Sequence, residues 1–232
     1  MILSSFMEVA FISDIHGNLE ALTAVLTIID SLKIKKIYCV GDIVGYAANP
    51  KECIEEIKSR KIPSVKGNHE HATITGNTSW FNPYAASAIE WGRQQLNEED
   101  FDYLQKLPEK IIERINGYKL FLVHGSPRDP IFEYVHEESD LEELIEMSEA
   151  DILVMGHTHV PFIKKVKNSL VVNCGAIGQP RDYNPKASFA LFDIEKFEVK
   201  IFRVDYDINT AAKKIIKANL PSFLAQRLYS GI

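Results

Sequence analysis

The 232-residue chain is poor in cysteine, and its three, Cys39, Cys53 and Cys174, form no close pair. That argues against a disulfide framework and for a reducing compartment, the cytoplasm. No apolar run approaches membrane-spanning length. Residues 1–6, although partly apolar, lack a basic start followed by an apolar segment and cleavage site, so they read as a dispensable extension and no membrane partner is expected. Positive charge is not in excess: 26 Lys and Arg against 32 Asp and Glu give a net charge of −6, which disfavours nucleic acid as a partner. No G-x-G-x-x-G fingerprint follows the first strand-like segment, so a nicotinamide-binding reading falls away. With no linker-like stretch, repeat or low-complexity segment, residues 1–232 are expected to form one domain. A homo-oligomer is left open.

What is present is a repeated strand, turn and helix grammar. Residues 9–13 are β-compatible and run into Asp14, after which Leu19, Leu22, Leu26 and Ile29 recur at helical spacing. Residues 37–40 meet Gly41-Asp42 and then a helix opened by Pro50. Residues 62–66 run into Gly67-Asn68-His69, which completes a βαβαβ start with parallel strands. Residues 70–108 lose the strand pattern and gain aromatics, Trp80, Phe81, Tyr84 and Trp91 among them, which predicts an inserted helical cap. Asn116-Gly117 predicts a hairpin whose second strand stops at His124-Gly125. A helix through Leu141 and Leu144 leads to a strand that stops at Gly156-His157-Thr158-His159. Two further antiparallel pairs and a helical tail imply a mixed sheet or two packed sheets, hence an α/β fold.

Five predicted strands thus finish at a metal-capable residue: Asp14, Asp42, Asn68, His124 and His157. Open α/β sheets bind ligands at the carboxyl ends of their strands, so one topology gathers these residues at one rim. Asp14-Ile15-His16 and His157-Thr158-His159 each supply two donors one residue apart. Seven oxygen and imidazole donors exceed what one ion needs and suit two ions sharing a carboxylate, for which Asp42, isolated between the doublets, is the best bridge. Without thiolate, the donor set favours two divalent transition-metal ions, manganese foremost, then iron, zinc, nickel or magnesium.

The blocks Asp14-Ile15-His16, Gly41-Asp42, Gly67-Asn68-His69-Glu70, His124-Gly125 and Gly156-His157-Thr158-His159, in this order, resemble the signature of calcineurin-like metallophosphoesterases. The segments Gly41 to Tyr46, His124 to Pro130 and Gly178 to Asp182 are most similar to the bacterial and archaeal branch related to diadenosine tetraphosphatase and serine/threonine phosphatases. The resemblance implies a four-layer fold of two mixed sheets packed face to face with helices outside. It also implies that Asp14, His16, Asp42 and His159 hold one metal, and that Asp42, Asn68, His124 and His157 hold the other. His69 would be the catalytic histidine. Where protein phosphatases and dinucleoside tetraphosphatases carry an Asp and an Arg after the Gly-Asp block, this chain has Gly45 and Ala47, which weakens the case for either substrate.

The expected function is hydrolysis of a phosphomonoester or phosphodiester of a small molecule or nucleotide, with a hydroxide held between two metals attacking phosphorus. His69 would protonate the leaving group or hydrogen-bond the transition state. Arg128 and Arg181 are candidate phosphate contacts. The competing readings are a non-catalytic scaffold, a nuclease or a protein phosphatase. His71 and His136 are expected to be structural, Cys174 buried, Glu70 supporting or exposed, and the cap aromatics packing.

Overall fold

The computed structural model describes residues 8–232, so the expected dispensable segment, residues 1–6, lies outside the described residues. In chain order the strands and helices are β1 (Glu8–Ile12), α1 (Leu19–Ser31), β2 (Lys36–Cys39), α2 (Pro50–Ser59), α3 (Asn68–Thr75), α4 (Pro83–Arg93) and α5 (Glu98–Lys106). There follow β3 (Lys110–Ile115), β4 (Tyr118–Val123), α6 (Leu141–Ser148), β5 (Ile152–Met155), β6 (Phe162–Val166) and β7 (Ser169–Asn173). The chain closes with β8 (Ala187–Asp193), β9 (Glu198–Val204), α7 (Ile208–Lys217), α8 (Ser222–Gln226) and a 3-10 turn, Arg227–Tyr229.

Two mixed sheets result, one in the order β2-β1-β8-β9 and the other β3-β4-β5-β7-β6. The parallel pairs are β1 with β2, β4 with β5 and β5 with β7. β1 shows why the sheets stack: its side chains alternate, and both faces are covered, so Val9–Ile12 are all buried. Val9 and Phe11 meet Leu120, Leu122, Val154 and Val172 of the other sheet. Ala10 and Ile12 meet Leu22, Val25, Cys53 and Ile57 of the helices outside. On the far side, Phe121, Leu153 and Val171 pack on Leu141, Leu144 and Ile145 of α6. The layers are helix, sheet, sheet, helix, as the resemblance implied.

Local signals explain the element ends. Asn18 caps α1, its side chain accepting from Ala21 N at 3.2 Å, and Pro50 opens α2. The β3–β4 hairpin turns on Asn116 (φ 52°) and Gly117 (φ 92°), the two left-handed residues a type I′ turn needs. The expected strand at residues 62–66 is a correction: it is a single parallel bridge, Cys39 to Ser64. Cys39 N donates to Pro63 O and Val65 N to Cys39 O, both at 3.0 Å, but Lys66 N turns away to Pro108 O at 2.8 Å. Helices α3 to α5 occupy the segment expected as a cap, and no helix among the described residues is long and apolar enough to cross a membrane.

The loop after β7 buttresses the end of β1. Ile177 N donates to Ser13 O at 2.9 Å, Gly178 N to Asp14 O at 2.8 Å, and Asn18 Nδ2 to Gly178 O at 2.9 Å. A Cβ at Gly178 would overlap the Ile15 carbonyl. Gly178→Ala is therefore expected to destabilise the fold by about 1–3 kcal/mol, read by urea unfolding. A change within about 0.5 kcal/mol would show that this loop yields freely.

Candidate metal centre

The carboxyl ends of β1, β2, β4 and β5, with the start of α3, bring together all seven residues expected as donors. Asp14 Oδ1 lies 3.2 Å from His159 Nε2 and 3.7 Å from His16 Nε2, and the two imidazole nitrogens are 3.0 Å apart. Asp42 Oδ2 is 3.6 Å from His16 Nε2 and 3.4 Å from His124 Nε2. His124 Nε2 in turn is 3.0 Å from Asn68 Oδ1 and 3.1 Å from His157 Nδ1. The donors fall into two groups, Asp14-His16-Asp42-His159 and Asp42-His124-His157, with Asp42 in both. Asn68 Oδ1 adjoins the second group.

The outer nitrogen of each ring fixes its orientation. His16 Nδ1 donates to Val44 O at 3.1 Å, His124 Nδ1 to Val40 O at 2.8 Å, His159 Nδ1 to Gln179 O at 2.5 Å and His157 Nε2 to Phe132 O at 3.2 Å. A ring that spends its N–H on a carbonyl turns a lone pair toward the cluster, the arrangement that histidine ligands of metals adopt. Lone pairs of His16, His157 and His159, which burial keeps neutral, thus face the cluster at close range, and Asp14 Oδ1 is buried with no hydrogen-bond partner. Burial would raise the Asp14 and Asp42 carboxyls, but the surrounding histidines outweigh it and hold both below the ordinary range. Burial pushes His157 down to about 3, whereas Asp42 and Asp14 overcome burial at His124 and draw it up to about 9. Two ionised carboxylates against one cationic ring leave the floor negative, a deficit that divalent cations neutralise. The donor set fits the metals.

The backbone is strained where it presents these donors. Asp14, His16, Asp42, His157 and His159 have φ of 52°, 51°, 54°, 68° and 63°, the left-handed region that residues with a Cβ seldom adopt. Glu70 supports the arrangement and is a correction to any exposed placement: it is fully buried, and its carboxylate accepts from Asp42 N and Gly67 N at 2.8 Å and Val44 N at 3.1 Å. Burial, then Asp42, pushes it up to about 7.

The profile of the calcineurin-like phosphoesterase superfamily domain matches residues 7–197. The chain belongs to that superfamily. Over 96% of its length it is 40% identical to an uncharacterized protein of Methanocaldococcus jannaschii, of which it covers 98%. It is 26% identical to the phosphodiesterase YfcE of Escherichia coli over 83% of this chain and 91% of that one. The crystal structure of a metallophosphoesterase from Sphaerobacter thermophilus superposes with a TM-score of 0.86 at 35% identity, over 97% of this chain and 99% of the other. A calcineurin-like phosphoesterase is a metal-binding hydrolase, and the donor cluster is the place in this chain with the chemistry for it.

Above the cluster this phosphoesterase opens a cavity of about 410 Å³, lined by His69, Tyr46, Trp80, Phe81, Tyr134 and Arg181 among others. His69 N donates to Asp42 Oδ1 at 2.9 Å, and its ring lies 4.5 Å from that of His16, 4.7 Å from Tyr46 and 4.9 Å from Phe81. Its Nδ1 is buried without a partner, and burial pushes the ring down to about 4. Arg181 lines the cavity. Arg128 does not: its guanidinium pairs with Glu133 at 2.6 Å and Glu143 at 2.5 Å, pinning the loop after β4 instead of facing the cluster.

Several lining residues escaped the sequence reading, Trp80, Tyr134 and Arg227 among them. Trp80, expected to pack within the cap, is 83% exposed at the cavity rim. Tyr134 stacks on His157 with ring centroids 3.8 Å apart, and Arg227 arrives from the C-terminal turn. An aromatic-rich stretch was visible for the first, but nothing in the sequence ties the other two to the blocks. His71 packs its ring against Phe132, and Cys174 is buried.

Proposed function

We propose that this chain is a binuclear phosphoesterase that hydrolyses a phosphomonoester or phosphodiester of a small molecule or nucleotide. The observation that carries the reading is Asp42: one carboxylate belongs to two donor groups on the floor of a cavity large enough for a substrate. Asp14, His16, Asp42 and His159 would hold one ion, and Asp42, Asn68, His124 and His157 the other. Manganese is the first choice, since carboxylate, amide and imidazole donors without thiolate suit it. Bound there, the ions supply charge neutralisation of the phosphoryl group and acidification of water.

The chain's own residues do the rest. His69, held beside Asp42 by its main-chain N–H and walled by three rings, offers a ring nitrogen to the leaving oxygen and so hydrogen-bonds or protonates it. Arg181 presents a planar donor fork to phosphate oxygens. The rings of Trp80, Phe81 and Tyr134 exclude water around the ester. The described chain acts as one domain around this centre, with α3 to α5 as its cap. Three buried, unpaired cysteines support a cytoplasmic setting.

The test is hydrolysis of p-nitrophenyl phosphate and bis-p-nitrophenyl phosphate by protein stripped of metal and reloaded with manganese, nickel, zinc or magnesium. Turnover that depends on metal is expected, and the preferred reagent separates monoester from diester chemistry. Tight binding of metal with no hydrolysis of either reagent would favour a scaffold and sink the enzymatic reading.

A further inference from the structure

Two arginines enter the cavity over the cluster, and one of them comes from outside the segment that matches the superfamily profile. Arg227 stands at the end of α8, beyond residue 197. Its position is set by packing: Leu224, Ala225 and Leu228 of the tail bury against Ala85 and Ala88 of α4 and against Tyr46 and Ala47. Tyr46 ties both cations to the centre. The Arg181 and Arg227 guanidinium carbons lie 5.7 Å and 5.9 Å from its ring centroid, and Arg181 Nη2 donates to Tyr46 Oη at 3.1 Å. The same ring contacts those of His16 and His69 at 4.6 Å and 4.7 Å.

Like charges gathered at one ring repel unless an anion separates them. Three other arginines have such an anion: Arg60 has Asp30 and Glu56, Arg128 has Glu133 and Glu143, and Arg203 has Asp182. Among the described residues no carboxylate side chain pairs with Arg181 or Arg227. Arg181 bonds Tyr46 and Gln179, and its Nε is buried with no partner. Arg227 Nε donates to the Ile232 main-chain oxygen, and its guanidinium carbon lies 5.4 Å from the Phe223 ring centroid. Burial, then Arg181, draws the Arg227 guanidinium down to about 10.

We infer that Arg181 and Arg227, with Tyr46 between them, form a second anion subsite, so that the substrate is a phosphate ester carrying a further anionic group. The inference rests on the cluster being the site where the reacting phosphate binds. One phosphoryl group would lie over the cations that the floor's donors would hold, and a second phosphate or a carboxylate in the fork of the two guanidiniums, whose planar N–H pairs suit either. The cavity, at about 410 Å³, has room for more than a single phosphate.

The test is calorimetric titration of the full, manganese-loaded chain with methylphosphonate, methylenebisphosphonate and phosphonoacetate. The wild type is expected to prefer at least one of the two-anion probes over methylphosphonate, and Arg227→Gln to cut that preference by about tenfold, since a charge-assisted hydrogen bond is lost. Phosphonoacetate matching the bisphosphonate would assign the subsite to carboxylate as well as phosphate, and phosphonoacetate matching methylphosphonate would assign it to phosphate. A preference that stays within twofold of wild type in Arg227→Gln overturns the inference. Should that variant fail to fold, Arg227→Lys decides. It keeps the charge without the fork, so a fall of at least about threefold in the preference supports the subsite and no change removes it. Binding is read as heat, so the two readings fail separately. A preference lost in the variant without hydrolysis of p-nitrophenyl phosphate keeps the subsite and removes the enzyme, and hydrolysis with an unaltered preference does the reverse.

Discussion

Asp42→Asn is expected to weaken both halves of the donor cluster at once. Its Oδ2 stands 3.6 Å from His16 Nε2 and 3.4 Å from His124 Nε2, and it is the residue common to both groups. Asparagine keeps the shape and one oxygen but removes the charge that, on the proposed reading, would hold two cations side by side. Changes in residues that merely orient ligands cost about 10–100-fold in metal affinity, so loss of a shared ligand charge should exceed about 100-fold. Turnover should then fall by more than about 10³-fold, because charge neutralisation at phosphorus goes with the metals. Metal analysis after dialysis gives the direct reading, with Asp14→Asn as the comparison, since Asp14 belongs to one group and its loss should spare the other ion. Metal content in Asp42→Asn equal to that of the wild type would end the shared-ligand reading.

The second large effect is expected at His69. Its main-chain N–H, not its ring, touches Asp42, so His69→Ala should keep its metal while turnover drops by about 10²–10⁴-fold, the usual worth of a general acid. Leaving-group dependence separates proton donation from a structural part. Phenyl phosphate, whose phenol is the poorer leaving group, should lose more in the variant than p-nitrophenyl phosphate. Equal losses on both reagents would assign His69 to holding the transition state and not to donating a proton. The ring's surroundings explain how it is positioned without a carboxylate. A Cβ at Gly45 would collide with His69 Nδ1 and stand 2.8 Å from His16 Nδ1, so a carboxylate at this position is shut out by the rings themselves. Edge contacts with His16, Tyr46 and Phe81 hold the imidazole instead.

What the sequence made legible was local. Strand, glycine and donor recur within a few residues, so Asp14, Asp42, His124 and His157 could be set at strand ends before any coordinates, and Asn116-Gly117 announced its turn. The misreadings arise where distant partners decide. Residues 62–66 have strand composition, yet Lys66 finds its hydrogen bond at Pro108 and the ladder stops after one bridge. Arg128 follows His124 closely in sequence, but Glu133 and Glu143 claim its guanidinium. Glu70, open in the sequence between a supporting and an exposed place, is settled as supporting by the three main-chain N–H groups that converge on it. Arg227 is brought to the centre through the packing of a tail on a cap, which no motif encodes.

The left-handed backbone at five of the donors has a bearing on ancestry and engineering alike. Each such residue costs about 1–3 kcal/mol that glycine would not incur. Selection for heat resistance alone would therefore replace Asp14, His16, Asp42, His157 and His159, buried though they are, before touching the apolar core. A duplicated gene copy released from hydrolysis would drift toward glycine or asparagine at these positions while its sheets stayed intact. Thermal stability and turnover consequently have their optima at different sequences, and a decayed copy of this protein would outlast the working one on heating.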